Sequence, residues 1–225
     1  MKRTVTALKV QKRNPNRVNV YLDGDFAFGL ARIVAAWLVV GQVLEEGKIT
    51  ALRDQDTVEV AYQKAIQLLS YRERSEDEIA RRLEKTGFDA SVVGAVLMRL
   101  REAGLVQDEH YARRWVESRS LSHPRGRRAL AIELRRKGIA KDSIEQALEG
   151  VAPEEELAYA AASKQARRLS DLSLDVFRAR LAGFLTRRGF GYEVSKQVVQ
   201  QMWQELHPTG EIDSGEGFEE ERERK

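Results

Sequence analysis

Two sets of residues in this 225-residue sequence have the outline of reactive or ligand-binding sites. Gly41-Gln-Val-Leu-Glu-Glu-Gly47-Lys48-Ile49 has the outline of a phosphate loop. Such a loop needs four residues between its glycines and a Ser or Thr after the lysine to hold magnesium. Here five residues separate the glycines, Ile49 occupies the hydroxyl position, and Glu45 and Glu46 would repel phosphate, so the segment reads as a plain turn. The three histidines, His110, His123 and His207, are scattered, with neither metal-ligand spacing nor the spacing of a Ser-His-Asp set. The absence of cysteine excludes disulfides, thiolate metal sites and a cysteine nucleophile. Carboxylates are plentiful but interleaved with bases, as in solvated i,i+4 pairs on helix faces. The sequence therefore reads as a non-enzyme without cofactor or metal.

The remaining signal is cationic. Between His110 and Lys141, ten Lys and Arg stand against Glu117 and Glu133, a local balance of +8 in a chain whose net charge is +3. A field that concentrated calls for a polyanionic partner, nucleic acid or an acidic protein surface. Its centre is Gly126-Arg-Arg-Ala-Leu-Ala-Ile-Glu-Leu-Arg-Arg-Lys-Gly-Ile139. At 100° per residue Leu130 and Leu134 share one helix face, while Arg128 and Arg135 lie about 20° apart, well off it. Just upstream, Tyr111 and Trp115 are spaced i,i+4, which reads as core packing before base stacking.

These residues need helices to position them, and the chain marks its helices by repetition. Leu83-x-x-x-Gly87-Phe88, Leu134-x-x-x-Gly138-Ile139 and Leu185-x-x-x-Gly189-Phe190 share one pattern, their glycines 51 residues apart both times. Ile79, Leu130 and Leu181 keep the register, as do Val96, Ala147 and Val198. Three gapless copies at one spacing signal a repeat architecture. Each pattern is a helix stop: glycine at C′ adopts the left-handed conformation and the apolar C″ residue packs on C3. Gly104, after Leu100, is a fourth stop of this kind. Ser75 with Glu78 forms a capping box, and Asp89 and Asp108 read as N-caps. Nine helices result, at about 59–72, 76–86, 90–103, 109–121, 125–137, 141–149, 154–170, 174–188 and 192–206.

The first sixty residues differ. Val18, Val20 and Leu22 alternate with polar residues, Asp23-Gly24-Asp25 punctuates, and Phe26 and Phe28 resume the alternation, which predicts a hairpin. Thr4 to Lys12 supplies a further strand, and a short helix runs from Ala31 to Leu38. The fold class is therefore mostly α: three tandem three-helix repeats in an elongated array, preceded by a small module containing a β-hairpin. The domain boundaries fall at 1–57, 58–106, 107–152 and 153–207. Residues 208–225 form an acidic tail expected to be disordered, with seven acids against Arg222, Arg224 and Lys225, a balance of −4. The N-terminus lacks the apolar core of a signal peptide, and Ile33 to Val40, the most apolar run, is too short to span a bilayer. These features fit a cytoplasmic protein.

"DEHYARRWVESR" followed by "GRRALAIELRRKGI" resembles the second repeat of the RecX regulatory family. "SYRERSEDEIARRLEKTGF" and "LTRRGFGYEVSKQVV" resemble its first and third repeats, and "NVYLDGDFAFGL" its N-terminal segment, so the resemblance covers about residues 4–206. It implies a non-enzymatic modulator of the RecA recombinase. Such a protein lies in the groove of the RecA–single-stranded-DNA filament, blocks its extension and suppresses ATP hydrolysis and strand exchange. The expected partner is that filament, with a possible weak direct contact to DNA, no membrane, and a monomeric chain. The candidate partner-binding residues are Arg113, Arg114, Arg119, Arg125, Arg127, Arg128, Arg135, Arg136 and Lys137, with Arg187 and Arg188 in the third repeat. The alternative is a direct DNA-binding protein with tandem helix-turn-helix-like repeats. Against it, the helices after the turns carry few base-reading groups. A pure helical scaffold would leave the +8 stretch unexplained.

Overall fold

A computed structural model describes residues 1–208. The chain divides into two compact units, one made of Met1–Val116 with Ile132–Glu149, the other of Glu117–Ala131 with the described residues from Gly150 onward.

The first unit opens with β1 (Lys2–Val10), β2 (Arg17–Leu22) and β3 (Asp25–Ala31). Asp23 (φ 51°) and Gly24 (φ 95°) are both left-handed, so the β2–β3 hairpin closes on a two-residue turn of the kind that matches strand twist. One turn of helix, α1 (Arg32–Ala35), and a short β4 (Val43–Glu45) follow, and the antiparallel sheet has the order β3-β2-β1-β4. The alternation in β2 delivers Val18, Val20 and Leu22 to one buried face, with Val5, Phe28, Leu30 and Leu44. α1 is shorter than the expected Ala31–Leu38, because Leu38 is drawn into that core and Gly41 turns the chain at φ 91° into β4.

α2 (Glu46–Tyr71) is the largest departure from expectation, for it starts at Glu46 and not near residue 59. Its first half serves the sheet. Ile49 and Leu52 are buried there, and Asp56 accepts hydrogen bonds from Arg17 (2.9 Å) and from the Ala31 amide. The polar run Arg53-Asp-Gln-Asp-Thr57 hides the helical period of this half. The second half supplies Ala61 and Ala65 to the first repeat, which α3 (Glu76–Lys85) and α4 (Ala90–Glu102) complete around Ile79, Leu83, Val93, Val96 and Leu100. The second repeat comprises α5 (Asp108–Ser122), α6 (Arg127–Arg136) and α7 (Lys141–Glu149), and its α5 and α6 each contribute residues to both units. The third comprises α8 (Glu154–Arg168), α9 (Leu174–Arg187) and α10 (Tyr192–Leu206), packed on buried Phe177, Leu181, Leu185, Phe190 and Val198.

All four glycine stops form. Gly87, Gly104, Gly138 and Gly189 have φ of 93°, 65°, 78° and 85°. In each case the C″ amide bonds the C3 carbonyl: Phe88 to Leu83 (3.3 Å), Leu105 to Leu100 (2.9 Å), Ile139 to Leu134 (3.1 Å) and Phe190 to Leu185 (3.2 Å). The starts differ more from expectation. Ser75 caps α3 by accepting the Glu78 amide (3.3 Å), but the Glu78 carboxylate turns away to Arg72 and Lys137 instead of reaching back. Asp89 precedes α4 without a side-chain cap bond. Asp108 lies inside α5 and instead accepts the Glu76 amide at the start of α3 (3.0 Å), because the two helix starts meet there.

Candidate partner-binding surface

The cationic residues of α5, α6, α9 and the turns beside them fall into four environments. Arg128, Arg135 and Arg136 on α6, and Arg187 at the end of α9, are exposed and make no hydrogen bond or ion pair among the described residues. Their charge is available to a partner. Arg113, Arg114 and Arg127 are exposed but tethered. Arg113 reaches the Glu109 carbonyl (3.4 Å), Arg114 pairs with Glu73 (2.5 Å), and Arg127 reaches the Val151 carbonyl (3.4 Å). Exposed single contacts of this kind are worth at most about 1 kcal/mol and exchange readily for another anion. Arg119 and Arg125 are half-exposed and already engaged in interactions within the protein.

Lys137 and Arg188 are turned inward. Lys137 Nζ donates to Glu78 (2.8 Å), whose other oxygen takes Arg72 (3.0 Å), and stands over the rings of Trp115 (4.2 Å) and Tyr111 (5.4 Å). Burial pushes the Lys137 pKa down, but the Glu78 and Tyr111 interactions outweigh it and leave it raised. Glu78 is likewise pushed up by burial and pulled further down by Lys137 and Arg72. Arg188 donates to the Pro124 carbonyl (3.1 Å) and covers the Phe184 ring (4.6 Å); burial and then the neighbouring Arg125 lower its pKa. Tyr111 is buried and stacks on half-buried Trp115 at 6.1 Å, which is core packing and not a base-stacking platform. Trp115 also donates to Glu133 (2.9 Å), so that the acid of α6 is occupied inside the protein.

These inward contacts form a joint that the sequence did not expose as one. Ser75, at the start of α3, donates its hydroxyl to the Lys137 carbonyl (2.6 Å), at the end of α6. Gly126, 51 residues on from Ser75, donates its amide to the carbonyl of Arg188, 51 residues on from Lys137 (3.0 Å). The glycine after each carbonyl is pressed against the preceding repeat's helix start. A Cβ on Gly138 would lie 2.2 Å from the Asp77 Cβ, and one on Gly189 would lie 2.5 Å from the Ala129 Cβ. One joint thus recurs, once in each unit: the start of a middle helix grips the C-terminal corner of the next one. The 51-residue register contained it, but Ser75 and Gly126 share no chemistry that would mark them as a pair.

The helices that follow the turns have little left for base edges. Arg99 pairs with buried Glu59 (2.5 Å) and lies over Tyr62, Arg101 pairs with Glu76, and Lys141 lies 3.5 Å from Glu145. Among the described residues no three His, Asp or Glu side chains gather as a metal site, and no described helix is long and apolar enough to cross a membrane. The Gly41–Gly47 segment is a turn, strand β4 and the start of α2.

The profiles of the RecX family match in four consecutive blocks: the regulatory protein RecX N-terminal domain at residues 3–45, and the first, second and third three-helix domains at 61–100, 108–148 and 153–199. The regulatory protein RecX of Levilactobacillus brevis is 32% identical over 199 residues, covering 87% of this chain and 74% of its own. The chain belongs to the RecX family. The RecX of Clostridium botulinum (strain Alaska E43 / Type E3) is 29% identical over 203 residues, covering 88% and 95%. A crystal structure of regulatory protein RecX superposes with a TM-score of 0.75 at 30% identity over 88% of this chain and 99% of that one. RecX from Lactobacillus salivarius shares the fold at a TM-score of 0.59 and 23% identity, over 66% and 97%. The relatives bear the name of a regulatory protein, and the tandem three-helix organisation is common to the family.

Proposed function

We propose that the chain binds the RecA–single-stranded-DNA filament and restrains its ATP hydrolysis, extension and strand exchange, without catalysing a reaction of its own. The observation that carries this reading is the set of exposed, unpaired arginines on α6, Arg128, Arg135 and Arg136, in a chain belonging to the RecX family of regulatory proteins. Removing such cations from water into a neutral groove would be unfavourable, whereas a filament of protein and phosphodiester supplies the opposite charge. Arg113, Arg114, Arg127 and Arg187 supply further exposed charge, and Arg119 and Arg125 half-exposed charge, to the same partner. Lys137 and Arg188 hold the helices that present it.

A direct sequence-reading role is disfavoured by the paired state of Arg99, Arg101 and Lys141. Contacts from α5 and α6 suit phosphates or protein carboxylates, which position without reading sequence. The test is paired. Arg128→Glu with Arg135→Glu is expected to leave thermal unfolding within about 0.5 kcal/mol per site, and to weaken inhibition of RecA ATPase sharply. Inhibition equal to that of the unmodified chain would show that these arginines are only solvated. Binding to bare DNA at the affinity of the filament would favour the DNA-binding reading.

A further inference from the structure

The most apolar run of the chain, Ile33 to Val40, is only partly spent on the core. Ala35 and Leu38 turn inward, while Ile33 (60% exposed), Trp37 (88% exposed), Val39 and Val40 stand in water. Scattered apolar residues on a surface need no explanation. A cluster of large ones in one short segment is the kind of patch that marks an interaction site. The patch borders a cleft between α1 and α2, inside the first unit. One half of the cleft, of about 550 Å³, is walled by Ile33, Val34, Trp37 and Val58, and its unpaired charge among the described residues is Asp54. The other half, of about 790 Å³, is lined by Arg32, Lys64, Asn16 and Gln67. Ile33 and Glu59 line both halves. Buried Glu59 is occupied by Arg99 and Gln63, and Arg17 by Asp56. The larger half therefore presents two cations without an ion pair among the described residues, Arg32 and Lys64, both exposed.

We infer that this cleft docks an acidic segment of a partner protein, with a bulky apolar side chain in the half beside Trp37 and carboxylates on Arg32 and Lys64. The two halves ask for those two chemistries side by side. Ile33, Val34 and Val58 offer apolar contact and no hydrogen bond, which suits an aliphatic or aromatic side chain and not the polar edge of a base. The side-chain amides of Asn16 and Gln67, which make no hydrogen bond among the described residues, can take the main-chain groups of an extended segment. A nucleic-acid strand carries a charge at every phosphate and is held by a groove of many cations. Here two cations are unpaired, and Asp54 in the apolar half would repel the strand. Tryptophan and arginine, the residues that carry the most energy in protein–protein contacts, stand together as Trp37 and Arg32. This inference stands on the cleft alone and does not depend on the RecA reading or on the arginines of α6.

A random dodecapeptide library displayed on phage, selected against the full-length chain, tests it. The enriched peptides are synthesised with a fluorescent label and titrated by anisotropy. They are expected to share an aromatic or large aliphatic residue close to several Asp or Glu. Trp37→Ala should weaken their binding at least tenfold, as should Arg32→Glu combined with Lys64→Glu. Lys64 also lies over the Phe88 ring (4.9 Å), so Arg32→Glu is measured alone as well and should weaken binding in the same direction. Trp37 and Arg32 are exposed, so both single variants should melt at the temperature of the unmodified chain. Arg128→Glu with Arg135→Glu should bind the peptides unchanged, and oligo(dT) should not displace them. Failure to enrich any peptide, a shared sequence without acids, undiminished binding by Trp37→Ala or by Arg32→Glu, or displacement by oligo(dT) would overturn the proposal.

Discussion

At the scale of single residues, the exposed and the enclosed cations should respond to mutation in opposite ways. Arg128 and Arg135 touch nothing charged, so changing them should register in binding and not in folding. Lys137, with its side chain 15% exposed and shared between Glu78, Trp115 and Tyr111, should register in folding first. Glu78→Gln tests this through pH. The folded-state pKa of Glu78 lies below its ordinary 4.5, so its contribution is complete above that value and is lost as pH falls through the folded pKa. The variant should be less stable by about 1–3 kcal/mol at pH 7, the size of a lost charged hydrogen bond. The two proteins should converge in stability as pH drops below 4.5. Thermal unfolding across that range is the measurement, and a constant gap would mean that the ion pair contributes nothing. Glu59, buried and bonded to Arg99 and Gln63, is lowered in the same sense and adds to the acid sensitivity of the parent chain.

At the scale of elements, the helix corner is the unit to perturb. Leu134→Ala should lose about 2–5 kcal/mol, as fully buried leucines do, because the side chain is the C3 partner under Ile139. The glycines separate backbone strain from packing. Gly87→Ala and Gly138→Ala each force a side chain into the left-handed region, at about 1–2 kcal/mol. Only at Gly138 does the new Cβ also run into Asp77, at 2.2 Å, so Gly138→Ala should be the more damaging of the two by a margin visible as a lower melting temperature. Equal losses would mean that the repeats can part without resistance at that corner. The α2 helix makes a related point: its two halves serve two cores, Ile49 and Leu52 in one and Ala61 and Ala65 in the other, so the sheet and the first repeat share a continuous backbone.

At the scale of the whole molecule, the proposed association should depend on charge distribution. The expected acidic tail lies outside the described residues except for Pro208; by composition, residues 209–225 carry a balance of −4 in a chain of +3. Contacts made by exposed arginines are screened beyond about 8–10 Å near physiological salt. Filament binding should therefore weaken steadily as salt is raised, and a chain ending at residue 208, with its balance raised to +7, should bind more tightly at low salt. Titrations of both chains at several salt concentrations decide the matter. Affinity that does not respond to salt would remove charge as the basis of binding, and identical curves would remove the tail from it.

What the sequence determined by itself was local and periodic. The four glycine stops, the Asp23-Gly24 turn, the alternating strands and the 51-residue register all follow from backbone preferences and apolar spacing within a few residues, and the structure has each of them. The cationic stretch was equally legible, since charge is a property of composition. Which cations remain free was not. Lys137 and Arg136 are neighbours in sequence with the same charge, and one is enclosed by Glu78, Trp115 and Tyr111 while the other faces water. That difference arises from side chains 22 to 59 positions away, and the Ser75–Lys137 and Gly126–Arg188 bonds of the joint each span 62 positions. The early start of α2 was hidden for the same reason: Asp56 is polar in sequence but is held in the helix by Arg17 and the Ala31 amide, partners that only the folded chain brings to it.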